Sequence, residues 1–293
     1  MNSRNRTIYS LAVAMILIGG CAKRERYATT ITRTWPAASI HRLEIREVDG
    51  TVTVDGSPTD TVSLTASVRA RGVAPKKNEE NEGYFRTELS GDTLSIGRRD
   101  KGHVVIHFPF MKSRDVTVDY VVHVPQSVAL EVRTVNGRIV TKGVDGETQL
   151  TTVNGPIDVE TQGSSELSAK TVNGRVIARF LHDFQGARLK TVNGEVRAVL
   201  PASASFSGDF SQVNGDFEAS FPMNIHSNPG SRRVSGQVNG GRYELKISTV
   251  NGDIQVENGP VPPVPPAAPA APAAPIVPPS APAAPAAPAS PVT

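Results

Sequence analysis

Apolar and polar residues alternate through most of the chain, and the alternation slips phase at regular intervals. Each slip falls on a repeated tetrapeptide. Thr-Val-Asn-Gly stands at 134–137, 152–155, 171–174, 191–194 and 249–252, and Gln-Val-Asn-Gly at 212–215 and 237–240. Its asparagines are Asn136, Asn154, Asn173, Asn193, Asn214, Asn239 and Asn251, spaced by 18, 19, 20, 21, 25 and 12 residues. Four residues before them stand Val132, Leu150, Ala169, Leu189, Phe210, Ser235 and Ile247. Three residues after most of them stand Ile139, Ile157, Val176, Val196, Phe217 and Ile254, followed two residues later by Thr141, Val159, Ala178, Ala198, Ala219 and Val256. Charged and hydroxyl residues fill the places between. A period of two marks strands with one buried face.

Four before and three after differ by an odd number, so the chain must turn at the tetrapeptide. Asn and Gly both tolerate positive φ and suit a turn. Weaker turn signals, Asp145-Gly146, Gln162-Gly163 and Gln185-Gly186, fall between copies. Each repeat is therefore two short strands and two bends. One architecture that fits is a β-solenoid, in which equivalent residues stack about 4.8 Å apart and the asparagines form a ladder. The other is an antiparallel meander with Asn-Gly hairpin turns. Stacking gives a reason for identity at one level of every repeat, and a meander does not, which favours the solenoid.

The segments Val118-Asp-Tyr-Val-Val-His-Val-Pro125 and Leu130-Glu-Val-Arg-Thr-Val-Asn-Gly137, followed by recurrent Asn-Gly-x-Ile/Val, resemble the bacterial putative-adhesin domain family. Leu43-Glu-Ile-Arg-Glu-Val-Asp-Gly-Thr-Val-Thr-Val54 resembles that family's opening coil, and Gly91-Asp-Thr-Leu-Ser-Ile96 its middle strand. The resemblance covers about residues 38–258. It implies an all-β fold, a right-handed β-helix or β-solenoid-like repeat domain with short strands, and it implies no catalytic residues. Residues 72–90 leave the strand pattern; Gly72–Gly83 reads GVAPKKNEENEG and is expected to be an exposed loop.

The ends of the chain have other characters. Arg4 and Arg6 precede an apolar run from Leu11 to Ile18, the layout of a secretory signal peptide. Ile18-Gly19-Gly20-Cys21 resembles the bacterial lipobox, which implies cleavage before Cys21 and acylation of its thiol and new amino group. Several acyl chains anchor a protein stably where one does not. Ala22, rather than Asp, implies sorting to the outer membrane if the source is Gram-negative. At the other end, 14 of the 23 prolines lie in residues 260–293, which hold no charge and no aromatic residue. Such a segment cannot build a core and favours polyproline II, about 100 Å long if fully extended. The expected organisation is a signal peptide (1–20), a lipidated tether (21–37), the repeat domain (38–259) and a disordered Pro/Ala-rich tail (260–293).

The formal charge of +3 drops to 29 basic against 28 acidic residues once Arg4 and Arg6 are removed. The signs alternate, so nothing points to nucleic acid. A single cysteine excludes an intrachain disulfide and a cysteine zinc cluster. No P-loop, Rossmann fingerprint, nucleophile elbow or His-Glu-x-x-His pattern occurs. His103 and His107 would share a strand face but lack a third ligand. Asp158, Glu160, Glu195, Asp216, Glu218 and Asp253 would form a carboxylate stripe, which bears on glycoside hydrolysis. Arg138, Arg175 and Arg197 interleave with it, so cross-coil ion pairs explain it. No cofactor, metal or catalytic residue is assigned. The expectation is a lipid-anchored envelope protein with a non-enzymatic, adhesin-like binding domain. Its partners would be the membrane through the anchor and an envelope protein, cell-wall or glycan partner. The alternatives are a structural or sensory scaffold working through the tail, and a polysaccharide-acting enzyme.

Overall fold

Parallel stacking of short strands organises the chain, and the repeated tetrapeptide sits at one corner of every layer. The computed structural model describes residues 26–71, 85–98, 115–222, 226–227 and 233–259. Cys21, His103, His107, Gly72–Gly83 and the 260–293 tail lie outside the described residues.

Each coil is a strand, a tetrapeptide corner and a second strand, and is named here by its ladder residue. The Asn136 coil comprises Ala129–Arg133 and Ile139–Lys142, the Asn154 coil Thr148–Thr151 and Ile157–Thr161. The Asn173 coil comprises Leu167–Lys170 and Val176–Phe180, the Asn193 coil Ala187–Lys190 and Val196–Leu200. First strands pair in parallel with first strands, and second with second, in the register the alternation requires. Val132 faces Leu150, then Ala169, then Leu189; Ile139 faces Ile157, then Val176, then Val196. All eight are buried. The solenoid, not the meander, is the fold.

The order of coils departs from the order of the sequence at both ends. The last coil (Tyr243–Ser248 and Ile254–Asn258, around Asn251) lies between the Asn193 coil and the Asn214 coil (Phe206–Ser211 and Phe217–Ala219). The first coil (Arg42–Arg46 and Val52–Ser57, around Asp49) stacks directly on the Asn136 coil. Thr93–Arg98 and Asp115–Pro125 lie on its other side, also parallel. The stack thus runs Asp49, Asn136, Asn154, Asn173, Asn193, Asn251, Asn214.

Antiparallel strands cover the ends, where an open parallel edge would otherwise invite pairing. Thr61–Arg71 pairs antiparallel with Asp115–Pro125 and with Arg26–Pro36, and Phe85–Ser90 with Thr93–Arg98. At the far end Arg233–Val238 pairs antiparallel with Phe206–Ser211. Two expectations are corrected here. The tether does not reach residue 37, because Arg26–Pro36 is a strand whose Thr29, Ile31 and Trp35 are buried. The irregular segment does not reach residue 90, because Phe85–Ser90 is a strand and Phe85 packs edge-on against Tyr120 at 5.6 Å.

The far cap carries an acid-sensitive contact. Arg233 Nε donates to Asp209 Oδ1 at 2.6 Å and Nη2 to Oδ2 at 2.5 Å, with Lys246 3.6 Å away. The hydrogen bonds from Arg233 hold the Asp209 carboxyl below its ordinary range, against an opposing effect of partial burial. A depressed folded value stabilises above the unfolded value, about 3.9, and is lost as pH falls through the folded one. Asp209→Asn is therefore expected to lower stability near neutrality and to converge with the parent in strong acid, as read by thermal melts across the acid range. Parallel curves over that range would contradict it.

Candidate functional site

Each residue of the tetrapeptide has a different task. The threonine turns inward: Thr152, Thr171, Thr191 and Thr249 are buried and donate to the carbonyls of Gly137, Gly155, Gly174 and Gly194, at 2.8–3.2 Å. The asparagine lies along the stack. Asn136 Nδ2 donates to Asp49 Oδ1 at 2.9 Å, and Asn154, Asn173, Asn193, Asn251 and Asn214 each donate to the Oδ1 of the residue below, at 2.7–2.9 Å. All amides point one way, and the row ends on a carboxylate, which only accepts. The glycine lets neighbouring backbones meet, as a Cβ on Gly155 would stand 2.1 Å from the Gly137 carbonyl oxygen.

That geometry revises the turn argument. Among the described non-glycine residues only Asn239 has positive φ, 48°. The six ladder asparagines do not need it. Asn239 is not in the ladder: it precedes Gly240 and Gly241 and donates to the carbonyls of Ala202 and Ala204 at 3.3 and 2.9 Å. Its residue four before, Ser235, is exposed where the other copies are buried. The 12-residue spacing to Asn251 is too short for a coil, and was the available signal. Asp49 in an asparagine's place, as the ladder's end, was not read from the sequence.

The Asn173 amide is bonded on both sides yet exposed. Asn173→Ala is expected to cost about 1 kcal/mol, the ordinary net worth of an amide bond in contact with water. Denaturant titration measures it; a loss below about 0.5 kcal/mol would mean that water replaces the ladder fully.

The valine turns outward. Val48, Val135, Val153, Val172, Val250 and Val213 are each 37–42% exposed, and Val192 is half-buried. They occupy successive coils and form one continuous apolar ridge beside the asparagine row. Exposed and half-buried positions flank the ridge. On one side stand Arg46, Arg133, Thr151, Lys170, Lys190, Ser248 and Ser211, in the pairing register of the first strands. On the other, directly after the glycines, stand Arg138, Pro156, Arg175, Glu195, Asp253 and Asp216. The ridge is basic on both flanks at Val135 and at Val172, uncharged on both at Val153 between them, and acidic on one flank from Val192 to Val213.

The carboxylate stripe is partly absorbed by the scaffold. Arg138 Nε donates to Asp158 Oδ2 at 2.9 Å, and Arg175 lies 4.0 Å from the same side chain. Arg197 pairs with Glu257 at 2.7 Å, and Asp253 accepts the Asp216 backbone N–H at 2.9 Å. Glu160, Glu195 and Glu218 stay on the same sheet, half-buried or exposed. No group of three or more His, Cys, Asp and Glu among the described residues is placed to hold a metal. No described helix is long and apolar enough to cross a membrane.

Residues 129–257 match the Toastrack DUF4097 family, a narrower span than the resemblance in the sequence covered. Among solved structures, a putative cell adhesion protein from Clostridium sporogenes ATCC 15579 aligns at 10% identity and a TM-score of 0.39, over 81% of this chain and 100% of that one. A putative adhesin from Bacteroides fragilis NCTC 9343 aligns at 10% identity and 0.29, over 78% and 96%. A putative lipid binding protein from Parabacteroides distasonis ATCC 8503 aligns at 13% identity and 0.32, over 78% and 95%. No curated protein matches the chain.

Proposed function

We propose that the protein, whose residues 129–257 match the Toastrack DUF4097 family, is an envelope lipoprotein, anchored through Cys21, whose solenoid is a non-enzymatic binding module working through its valine ridge. The observation that carries this reading is the ridge itself. Packing accounts for the Thr, Asn and Gly of the Asn154, Asn173, Asn193 and Asn251 corners, since each meets the next coil. It does not account for valine, which meets water in six coils. Backbone preference alone would be met as well by threonine, which is also β-branched. A row of apolar side chains maintained against solvent marks an interaction surface.

Two variants of the full-length protein test the two halves of the proposal. Val153→Thr combined with Val172→Thr should leave the circular dichroism and melting temperature of the protein unchanged and abolish its in-cell crosslinks to a partner. Unchanged crosslinks would remove the ridge from the function. Cys21→Ser should accumulate unprocessed precursor without acyl label, and normal labelling would refute the anchor.

A further inference from the structure

The ridge has a shape and a charge distribution that narrow its partner. We propose that it lies on an anionic phospholipid surface, with Val135, Val153 and Val172 in contact and Val213 held away. This rests on the reading of the ridge as the binding surface.

The shape comes first. The valines stand exposed on the outer corner of the stack, so the apolar row is convex. Seven coils about 4.8 Å apart make it about 29 Å long. A convex row has no walls to enclose a small ligand. It matches a deformable interface, into which apolar side chains sink while cations on either side reach headgroups. The charges are placed for that. Arg133, Arg138, Lys170, Arg175 and Lys190 are all exposed and flank the ridge from its second to its fifth coil. Arg133 pairs with Glu131, and Arg138 and Arg175 share Asp158. Lys170 and Lys190 carry no ion pair among the described residues, and face each other across adjacent strands. Two like charges set side by side without a carboxylate repel each other, and an anionic surface relieves that.

The same pattern sets a tilt. Val213 is as exposed as Val172, but Asp216 and Asp253 lie beside it. An anionic surface repels that end, so two valines of equal chemistry and exposure should behave differently. Each lysine near such a surface is worth about fivefold in partitioning.

The test uses the full-length protein bearing either Val172→Cys or Val213→Cys, labelled with an environment-sensitive fluorophore and added to vesicles of phosphatidylglycerol and phosphatidylethanolamine. An acylated Cys21 leaves the introduced thiol as the single labelling site. The label at 172 should shift to the blue and be quenched by spin-labelled lipid, and the label at 213 should report water. Vesicles of phosphatidylcholine should remove the contrast. Lys170→Gln with Lys190→Gln should lower the ratio of immersed to free label at 172 by roughly 25-fold. Equal signals at 172 and 213, or a contrast indifferent to lipid charge, would overturn the proposal. So would a contrast produced by heparin and not by vesicles, which would assign the ridge to an anionic glycan. Mass spectrometry of the N-terminal peptide separates the two readings. A chain that lacks acyl mass at Cys21 and still shows the contrast upholds the ridge and overturns the anchor. A lipidated chain with both labels in water does the reverse.

Discussion

Gly174→Ala is expected to unfold the middle of the stack. The new Cβ would stand 2.1 Å from the Gly155 carbonyl oxygen, 2.5 Å from its carbon and 3.0 Å from Pro156 N. These are backbone atoms of a neighbouring coil, and they cannot rotate away as a side chain does. Nor can Gly174 retreat, because its N–H donates to the Asn193 carbonyl at 3.0 Å and so fixes it to the next coil. Relief would require separating two coils, with the threonine and asparagine bonds between them. Overpacking of this kind costs about 3 kcal/mol or more. Gly91→Ala is the matched control. Gly91 has φ of 61° and nothing within 4 Å of its added Cβ. Its substitution meets only the left-handed backbone penalty, about 1–2 kcal/mol. Repeat stacks can lose local structure before they unfold as a whole. Amide hydrogen exchange over residues 150–200 should therefore accompany denaturant titration. Equal losses for the two variants would show that conformation, and not contact, explains these glycines.

Phe184→Ala should be nearly as damaging, for the opposite reason. Phe184 is buried between copies of the repeat, in the bend before the Asn193 coil. Its ring meets Phe180 at 5.1 Å, Phe206 at 5.9 Å and Tyr243 at 6.4 Å, all near edge-on. Those partners belong to the Asn173, Asn214 and Asn251 coils, so one ring joins coils from both sides of the out-of-order insertion. Removing it leaves a cavity lined by three aromatic rings, at a cost of about 3–5 kcal/mol. For a domain of this size that is roughly a 10 °C loss in melting temperature. Phe184→Leu should recover most of it. A loss under about 1 kcal/mol for Phe184→Ala would mean that the inserted coil is held by its backbone pairing alone.

The corner was largely legible before the structure, and its outward face was not. The alternation identified Val132, Leu150, Ile139 and Ile157 as core, and they are buried. Equivalent asparagines were expected to stack, and six copies now stand hydrogen-bonded in line with Asp49. Which side of the tetrapeptide faces water was not expected, because Thr and Val are both β-branched and either can lie in a core. The threonine goes inside because a buried hydroxyl finds a glycine carbonyl there. The valine, its neighbour in an extended chain, must then point out.

By itself the sequence determined the coil: its two strands, the register between coils, and the residues that turn inward. Those depend on a period of two and on a tetrapeptide that meets its own copies. Only the tertiary structure decided the order of the coils, the caps and the place of Asn239. A stack of near-identical coils is degenerate, since any Thr-Val-Asn-Gly corner offers the same donors and acceptors to any other. At the asparagine the Asn193 coil could accept Asn251 or Asn214, but only the Asn251 corner has a threonine, Thr249, to bond the Gly194 carbonyl, where the other has Gln212. The rest of what breaks the tie is not in the repeat. It lies in long-range contacts that local pattern does not encode: Phe184 against Phe206 and Tyr243, and Arg233 against Asp209 at the cap.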